Sequence, residues 1–88
     1  MQLHMFVSGK VQGIFFRDQT KTKALQLGLK GYVKNLSDGR VEVVAQGDMA
    51  NVKELIVFLN KGVTNADVED IEIIEEDDED FSTFSLKY

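Results

Sequence analysis

Two runs of alternating apolar and polar residues, KGYVKNL and RVEVVAQG, flank the turn sequence SDG near the middle of the chain. Alternation predicts β-strands, and Asp-Gly tolerates the positive φ angles of a tight hairpin turn. On each side of this hairpin lies a segment with helical spacing, and beyond each helix lies another alternating segment. The centre of the chain therefore predicts an antiparallel pair of strands between two helices.

Before the hairpin, the sequence predicts a strand followed by a helix. The stretch QLHMFVSG alternates, and we expect the strand to end near Gly9. Residues 18–28 have helical spacing, and Gly28 is suited to end that helix. The side chains expected on one side of the helix are Thr20, Ala24 and Leu27.

After the hairpin, Asp48 is suited to cap a second helix that ends at Gly62. Its buried stripe is predicted to contain Val52, Leu55, Ile56 and Leu59. ADVEDIEII then predicts a fourth strand with a bulge between Val68 and Ile71, whose positions differ in parity. EEDDED predicts a charged turn, and FSLKY a short final strand with Phe84, Leu86 and Tyr88 on one face.

The element order is βαββαβ plus a short fifth strand, which predicts an α+β sandwich of the ferredoxin-like kind. We expect an antiparallel sheet with both helices on one face. The 88 residues predict a single domain, residues 1–88. This fold carries many functions, so function has to be argued from particular residues.

Composition narrows the functional classes. A net charge of −5 disfavours a general nucleic-acid binder, and no apolar run approaches membrane-spanning length. The absence of cysteine excludes disulfides and Cys-based metal sites and fits the cytoplasm, where we expect the protein to reside. Much of the negative charge lies late, in DVEDIEIIEEDDED, whereas residues 10–40 are mostly basic and can attract a small anion.

No metal is predicted. His4 is the only histidine, and we expect a packed or surface strand residue rather than a ligand. The acidic turn 75–80 lacks the spacing of an EF-hand calcium loop, so we expect a solvated turn.

The stretch SGKVQGIFFR joins the first strand to the first helix and has the features of an anion site. Gly9 and Gly13 permit tight turning, and the N-terminus of the following helix offers free N–H groups. Arg17 stands at that junction, and its guanidinium matches two phosphate oxygens. The alternatives are an ordinary glycine-containing loop, an arginine in solvent, and an exposed Lys10.

Asn35, near the end of the second strand, also has two interpretations. An asparagine there is commonly a turn former, and Asp-Gly follows soon after. Alternatively, its carboxamide holds a water molecule, because it accepts and donates hydrogen bonds and stays neutral.

The two stretches GKVQGIFFR and LGLKGYVKNLSDGRVEVVAQG together closely resemble the acylphosphatase family, and the resemblance covers nearly the whole chain. It implies hydrolysis of acyl phosphates to a carboxylate and inorganic phosphate, with no cofactor. It also implies that Arg17 and Asn35 are the catalytic residues, Asn35 orienting the attacking water. The implied phosphate-binding residues, besides Arg17, are Gly9, Lys10, Val11, Gln12, Gly13 and Ile14.

The implied reaction is chemically consistent with these residues. The leaving group is a carboxylate whose acid has a pKa of roughly 4, so no general acid is required. Asp18 is the nearest acid to a loop that lacks His, Glu and Cys. We therefore expect positioning and charge stabilisation to carry the reaction, with the water proton passing to a phosphate oxygen.

The expected partners are a small-molecule acyl phosphate as substrate and inorganic phosphate as product and inhibitor. We expect no nucleic acid, no membrane and a monomer. Three other interpretations remain open at this stage: an RNA-binding module of the same topology, a regulatory domain without turnover, and a domain of a larger carbamoyl-processing enzyme.

Overall fold

The computed structural model describes the backbone of residues 1–88 and every side chain except that of Ile14. The fold has the predicted order of strands and helices. In chain order these are β1 (Gln2–Lys10), α1 (Ile14–Gln26), β2 (Lys30–Asn35), β3 (Val41–Gln46), α2 (Met49–Lys61), β4 (Asp67–Glu76) and β5 (Phe84–Lys87).

The strands form one sheet in the order β4-β1-β3-β2-β5. The pairs β4–β1, β1–β3 and β3–β2 are antiparallel, as the ferredoxin-like topology requires. The short β5 instead runs parallel to β2, so the sheet is mixed. The predicted bulge is confirmed, because Ser8 pairs with Asp70 and Gly9 with Val68, which leaves Glu69 as the extra residue.

Helix α1 begins at Ile14, four residues before the predicted start, and places Arg17 inside its first turn. The reason is the buried stripe, in which Phe16 precedes Thr20 and Ala24 at intervals of four. The helix ends as predicted: Gly28, just beyond it, has a left-handed φ of 69°.

Helix α2 begins after Asp48, whose carboxylate accepts a hydrogen bond from the Ala50 N–H at 3.4 Å. The predicted stripe is confirmed in Val52, Leu55 and Leu59, which are buried, while Ile56 is partly buried. Among the described residues, neither helix is long and apolar enough to cross a membrane.

Both helices pack on one face of the sheet and enclose the core. Alternation along the strands selects the side chains that point into it, as predicted. The buried strand residues of this face are Leu3, Met5, Val7, Val33, Val41, Val43, Ala45 and Phe84.

The other face carries a network of polar side chains. His4 lies between two carboxylates, with Nε2 at 2.6 Å from Glu42 and Nδ1 at 3.2 Å from Glu76. Burial of the ring lowers the pKa of His4, but the hydrogen bonds and negative charges of the two glutamates together outweigh burial and raise it above 6.5. The histidine is therefore a partly exposed residue of the open face.

The acidic turn that follows β4 lies at the end of the sheet opposite the β1–α1 connection. Strand β4 continues through Glu76, so only residues 77–80 of the predicted charged turn are irregular. The Gln2 amide, at the start of β1, donates to Glu76 at 2.7 Å and to Glu79 at 2.8 Å. This part of the negative charge is thereby separated from the connection that follows Lys10, at the far end of β1.

Candidate phosphate-binding site

The predicted loop is shorter than the sequence indicates. Gly9 and Lys10 belong to β1, and only Val11–Gly13 connect β1 to α1. A Cβ atom at Gly9 would collide with the carbonyl oxygen of Asp67 across the bulge, and its φ is 124°. Gly9 is therefore required by the close approach of β4, a reason that differs from the anion-binding turn expected from the sequence.

Gly13 is required by its backbone conformation. It occupies the N-cap position of α1 with φ 128°, which side-chain-bearing residues rarely adopt, and open space surrounds its Cα. The first backbone N–H groups of the helix have no intrahelical partner, and its first turn contains no acidic residue. A partial positive charge thus accompanies these N–H groups at the helix start.

The side chain of Gln12 links the connection to the β2–β3 hairpin. Its amide nitrogen donates to the carbonyl oxygen of Leu36 at 2.6 Å and to that of Arg40 at 3.2 Å. Leu36 directly follows Asn35, so these hydrogen bonds hold the two predicted parts of the site beside each other.

Arg17 is buried, with 8% of its surface exposed. Its Nη1 donates to the carbonyl oxygen of Lys87 at 3.1 Å, and its guanidinium carbon lies 4.8 Å from the centre of the Tyr88 ring. Its Nε is buried without a hydrogen-bond partner. The alternative of an arginine in solvent does not fit this burial.

Asn35 is the last residue of β2 and is directly paired with Val41, which is paired with Val7 on β1. It has the same parity as Val33, so it belongs to the face covered by the helices, at the end of the sheet where β1 leads into α1. Its Oδ1 is buried without a hydrogen-bond partner. In a turn former this oxygen would accept a hydrogen bond from a nearby backbone N–H, but Asn35 Oδ1 accepts none.

Among the described residues, Arg17 Nε and Asn35 Oδ1 are the two buried side-chain atoms that lack a hydrogen-bond partner. Such atoms are costly and rare, and a ligand or water is a common reason for them. The first is a cationic donor and the second a neutral acceptor. Together they suit an anion and a water molecule, respectively.

Two contacts of the site were missing from the sequence-based prediction. The sequence predicts Tyr88 on one face of the last strand with Phe84 and Leu86, but β5 ends at Lys87, and the contact of Tyr88 with Arg17 depends on the parallel pairing of β5 beside β2. Gln12 is predicted only as a phosphate-binding residue, and the structure adds a bridge from its side chain to another segment. Its position in the connection offered no signal of that bridge.

Comparison with known proteins identifies the group to which this chain belongs. The acylphosphatase family profile matches residues 3–86. The chain belongs to the acylphosphatase family. An acylphosphatase of Haloarcula marismortui is 41% identical over 85 residues, which cover 97% of this chain and 93% of that relative.

Solved acylphosphatases have the same fold. The structure from Coxiella burnetii matches with a TM-score of 0.92 and 43% identity, covering 98% of this chain and 90% of that one. The structure from Bacillus subtilis matches with a TM-score of 0.93 and 33% identity, covering 99% and 98%. This acylphosphatase is therefore an enzyme whose family implies a small-molecule acyl phosphate as substrate, and the RNA-binding and regulatory interpretations are set aside.

Proposed function

We propose that this acylphosphatase hydrolyses the carboxyl–phosphate bond without a metal, using backbone N–H groups, Arg17 and Asn35. The observation that carries the proposal is the pair of buried, unpartnered atoms, Arg17 Nε and Asn35 Oδ1, at one end of the sheet. The proposed phosphate-binding segment is Gly9 to Ile14, with the N-terminus of α1.

The phosphate would lie against the connection and the first turn of α1. The guanidinium of Arg17 and the free N–H groups would bind the equatorial oxygens, where charge is spread in the transition state. The contacts of Arg17 with Lys87 and Tyr88 support this role, because they restrain a flexible side chain before substrate binds.

Asn35 would position the attacking water through Oδ1. The oxygen of the water forms a bond to phosphorus, and the bond between phosphorus and the carboxylate oxygen breaks with its electron pair leaving on the carboxylate. One water proton passes to a phosphate oxygen, so the products are a carboxylate and inorganic phosphate. The low pKa of the departing acid, roughly 4, makes a general acid unnecessary.

Benzoyl phosphate hydrolysis, measured by ultraviolet absorbance in the presence of a chelator, tests the proposal. We expect the wild type to turn over, and Arg17→Ala and Asn35→Ala each to lose about 100-fold or more in kcat, as for other transition-state hydrogen-bond donors and positioning groups. Lys53→Ala and Asn60→Ala are matched controls at exposed positions of α2, and both should retain activity. Folded Arg17 and Asn35 variants with wild-type rates would refute the assignment.

The proton route has a separate test. Asp18 lies exposed in the second turn of α1 and is the nearest acidic side chain in sequence. If the substrate phosphate takes the proton, the Asp18→Asn variant keeps the kcat–pH profile of the wild type. Loss of a limb near about pH 6–7 in this variant would indicate a carboxylate base instead.

We further propose that residues 1–88 work as a single monomeric domain in the cytoplasm, inhibited by inorganic phosphate. The support is the single sheet with one core and the absence of cysteine. Light scattering after gel filtration tests the monomer, and competitive inhibition by phosphate tests product binding at the same site.

A further inference from the structure

A cavity of about 90 Å³ lies next to the connection between β1 and α1. One wall belongs to that connection and the first turn of α1, and the other to the α2–β4 connection. The residues that line it include Lys10, Gln12, Gly13, Phe15, Thr64 and Asn65.

The cavity and Asn35 lie on opposite sides of the β1–α1 connection. In the sheet, β1 stands between β4 and β3, with β2 beyond β3. The cavity wall leads into β4, whereas Asn35 ends β2. The Gln12 side chain reaches from the connection to the carbonyl oxygen of Leu36, which shows that the end of β2 lies on the Gln12 side of the connection.

We propose that the acyl group of the substrate binds in this cavity; the inference rests on the proposed function. In an in-line displacement, the attacking and leaving oxygens lie on opposite sides of phosphorus. A water held by Asn35 attacks from the β2 side, so the departing carboxylate and its acyl group point to the β4 side. The cavity is the space available there.

Phe15 determines which acyl groups suit the cavity. Its side chain is 73% exposed, although it stands in the first turn of α1 next to the phosphate-binding segment. An exposed aromatic ring beside a cavity offers a flat apolar surface to a ligand. A cavity of about 90 Å³ encloses only part of an aromatic acyl group, and the rest would lie against the exposed ring of Phe15, so compact, flat acyl groups such as benzoyl are the class expected to bind best.

The opposite wall is held in place. The Thr64 N–H donates to the side-chain oxygen of Gln19 on α1 at 3.0 Å, which ties this wall to the helix that carries Phe15. Asn65 adopts a left-handed φ of 64°, which asparagine tolerates better than most side-chain-bearing residues and which makes a tight turn in this wall. Lys10, at the edge of the cavity, provides positive charge toward the departing carboxylate.

The test compares kcat/KM for benzoyl phosphate and acetyl phosphate in the wild type, Phe15→Ala and Thr64→Trp. Removal of the aromatic ring should lower the benzoyl-to-acetyl ratio by about three- to tenfold, the range of a lost aromatic contact. Thr64 is exposed, so Thr64→Trp places bulk in the cavity without disturbing the core and should raise the KM for benzoyl phosphate. Val57→Ala, an exposed apolar position on α2, is the control and should leave the ratio unchanged.

The inhibition constant of inorganic phosphate separates the two parts of the site. Phosphate has no acyl group, so its inhibition constant should stay within about twofold of wild type in both cavity variants. Equal losses for both substrates with weakened phosphate inhibition would overturn the inference, because Phe15 would then support only the phosphate site. An unchanged benzoyl-to-acetyl ratio in both cavity variants, with the Arg17 and Asn35 variants inactive, would refute only the acyl site. Active Arg17 and Asn35 variants would instead refute the proposed mechanism.

Discussion

Asn35→Leu should make the protein more stable and nearly inactive. Asn35 Oδ1 is buried without a hydrogen-bond partner, and an unsatisfied buried acceptor costs about 1–3 kcal/mol. Leucine removes that acceptor, is favoured over asparagine in strands, and extends the apolar row that begins at Val33. Because Asn35 is only partly buried, we expect the low end of the range, about 1 kcal/mol.

For a domain of this size, about 1 kcal/mol corresponds to a rise of about 4–8 °C in Tm. The same substitution removes the group proposed to orient water, so kcat for benzoyl phosphate should fall by about 100-fold or more. Thermal unfolding by circular dichroism and hydrolysis are measured on the same samples. Asn60→Leu on the exposed face of α2 is the control, with Tm and kcat close to wild type.

Two results would refute the reasoning. A Tm several degrees below that of the wild type would mean that Asn35 stabilises the fold, and that burial of its oxygen without a partner does not lower the free energy of unfolding. A stable variant with wild-type kcat would mean that the unpartnered oxygen has no part in catalysis. Only higher stability together with lost turnover agrees with an asparagine retained for function at the expense of stability.

Three further predictions concern other parts of the molecule. Since the pKa of His4 is raised in the folded state, the stabilising contribution of this residue is complete below about pH 6.5 and is lost as pH rises through the folded-state pKa. The Tm difference between wild type and His4→Gln should therefore be larger at about pH 5.5 than at about pH 8.5. An equal Tm difference at the two pH values would contradict the ion pairs with Glu42 and Glu76. Tyr88→Leu should weaken inhibition by inorganic phosphate by about two- to fivefold, because the cation–π contact with Arg17 is lost. The Tm should change little, because Tyr88 is 87% exposed. Unchanged inhibition would show that the ring does not restrain the guanidinium. Gly31→Ala should lower the free energy of unfolding by more than about 2 kcal/mol in chemical denaturation, because φ is 136° and a Cβ would collide with a carbonyl of β3. Gly39→Ala, with φ 98° in open space, should lower it clearly less. Equal losses in the two variants would mean that backbone strain, and not the collision, causes the destabilisation.

The site was only partly predictable from local sequence. The residue types of the connection and Arg17 suggested an anion site, and the family resemblance supplied the role of Asn35. The bridge from Gln12 to Leu36 spans 24 residues, and the Arg17 contact with Lys87 spans 70, so neither has a local signature. Such contacts depend on which strands are neighbours, and strand order is a property of the whole sheet.

The sequence by itself determined the elements and their inward faces. Alternation in β1 and β3, the Asp-Gly turn and the α2 stripe each arise from interactions within a few residues, which is why they were predicted correctly. The α1 start was wrong because Phe16 joins the buried stripe only when the helix packs on the sheet. Local spacing alone did not include it.

Tertiary structure alone decided the roles of individual residues. Gly9 is required because β4 approaches it at the bulge, and β5 is parallel because segment 77–83 crosses from one edge of the sheet to the other. Burial of Arg17 Nε and Asn35 Oδ1 likewise arises only when β2, β5 and α1 meet. The physical reason is that burial and hydrogen-bond satisfaction depend on residues far apart in the chain, whereas periodicity and turn preference depend on immediate neighbours.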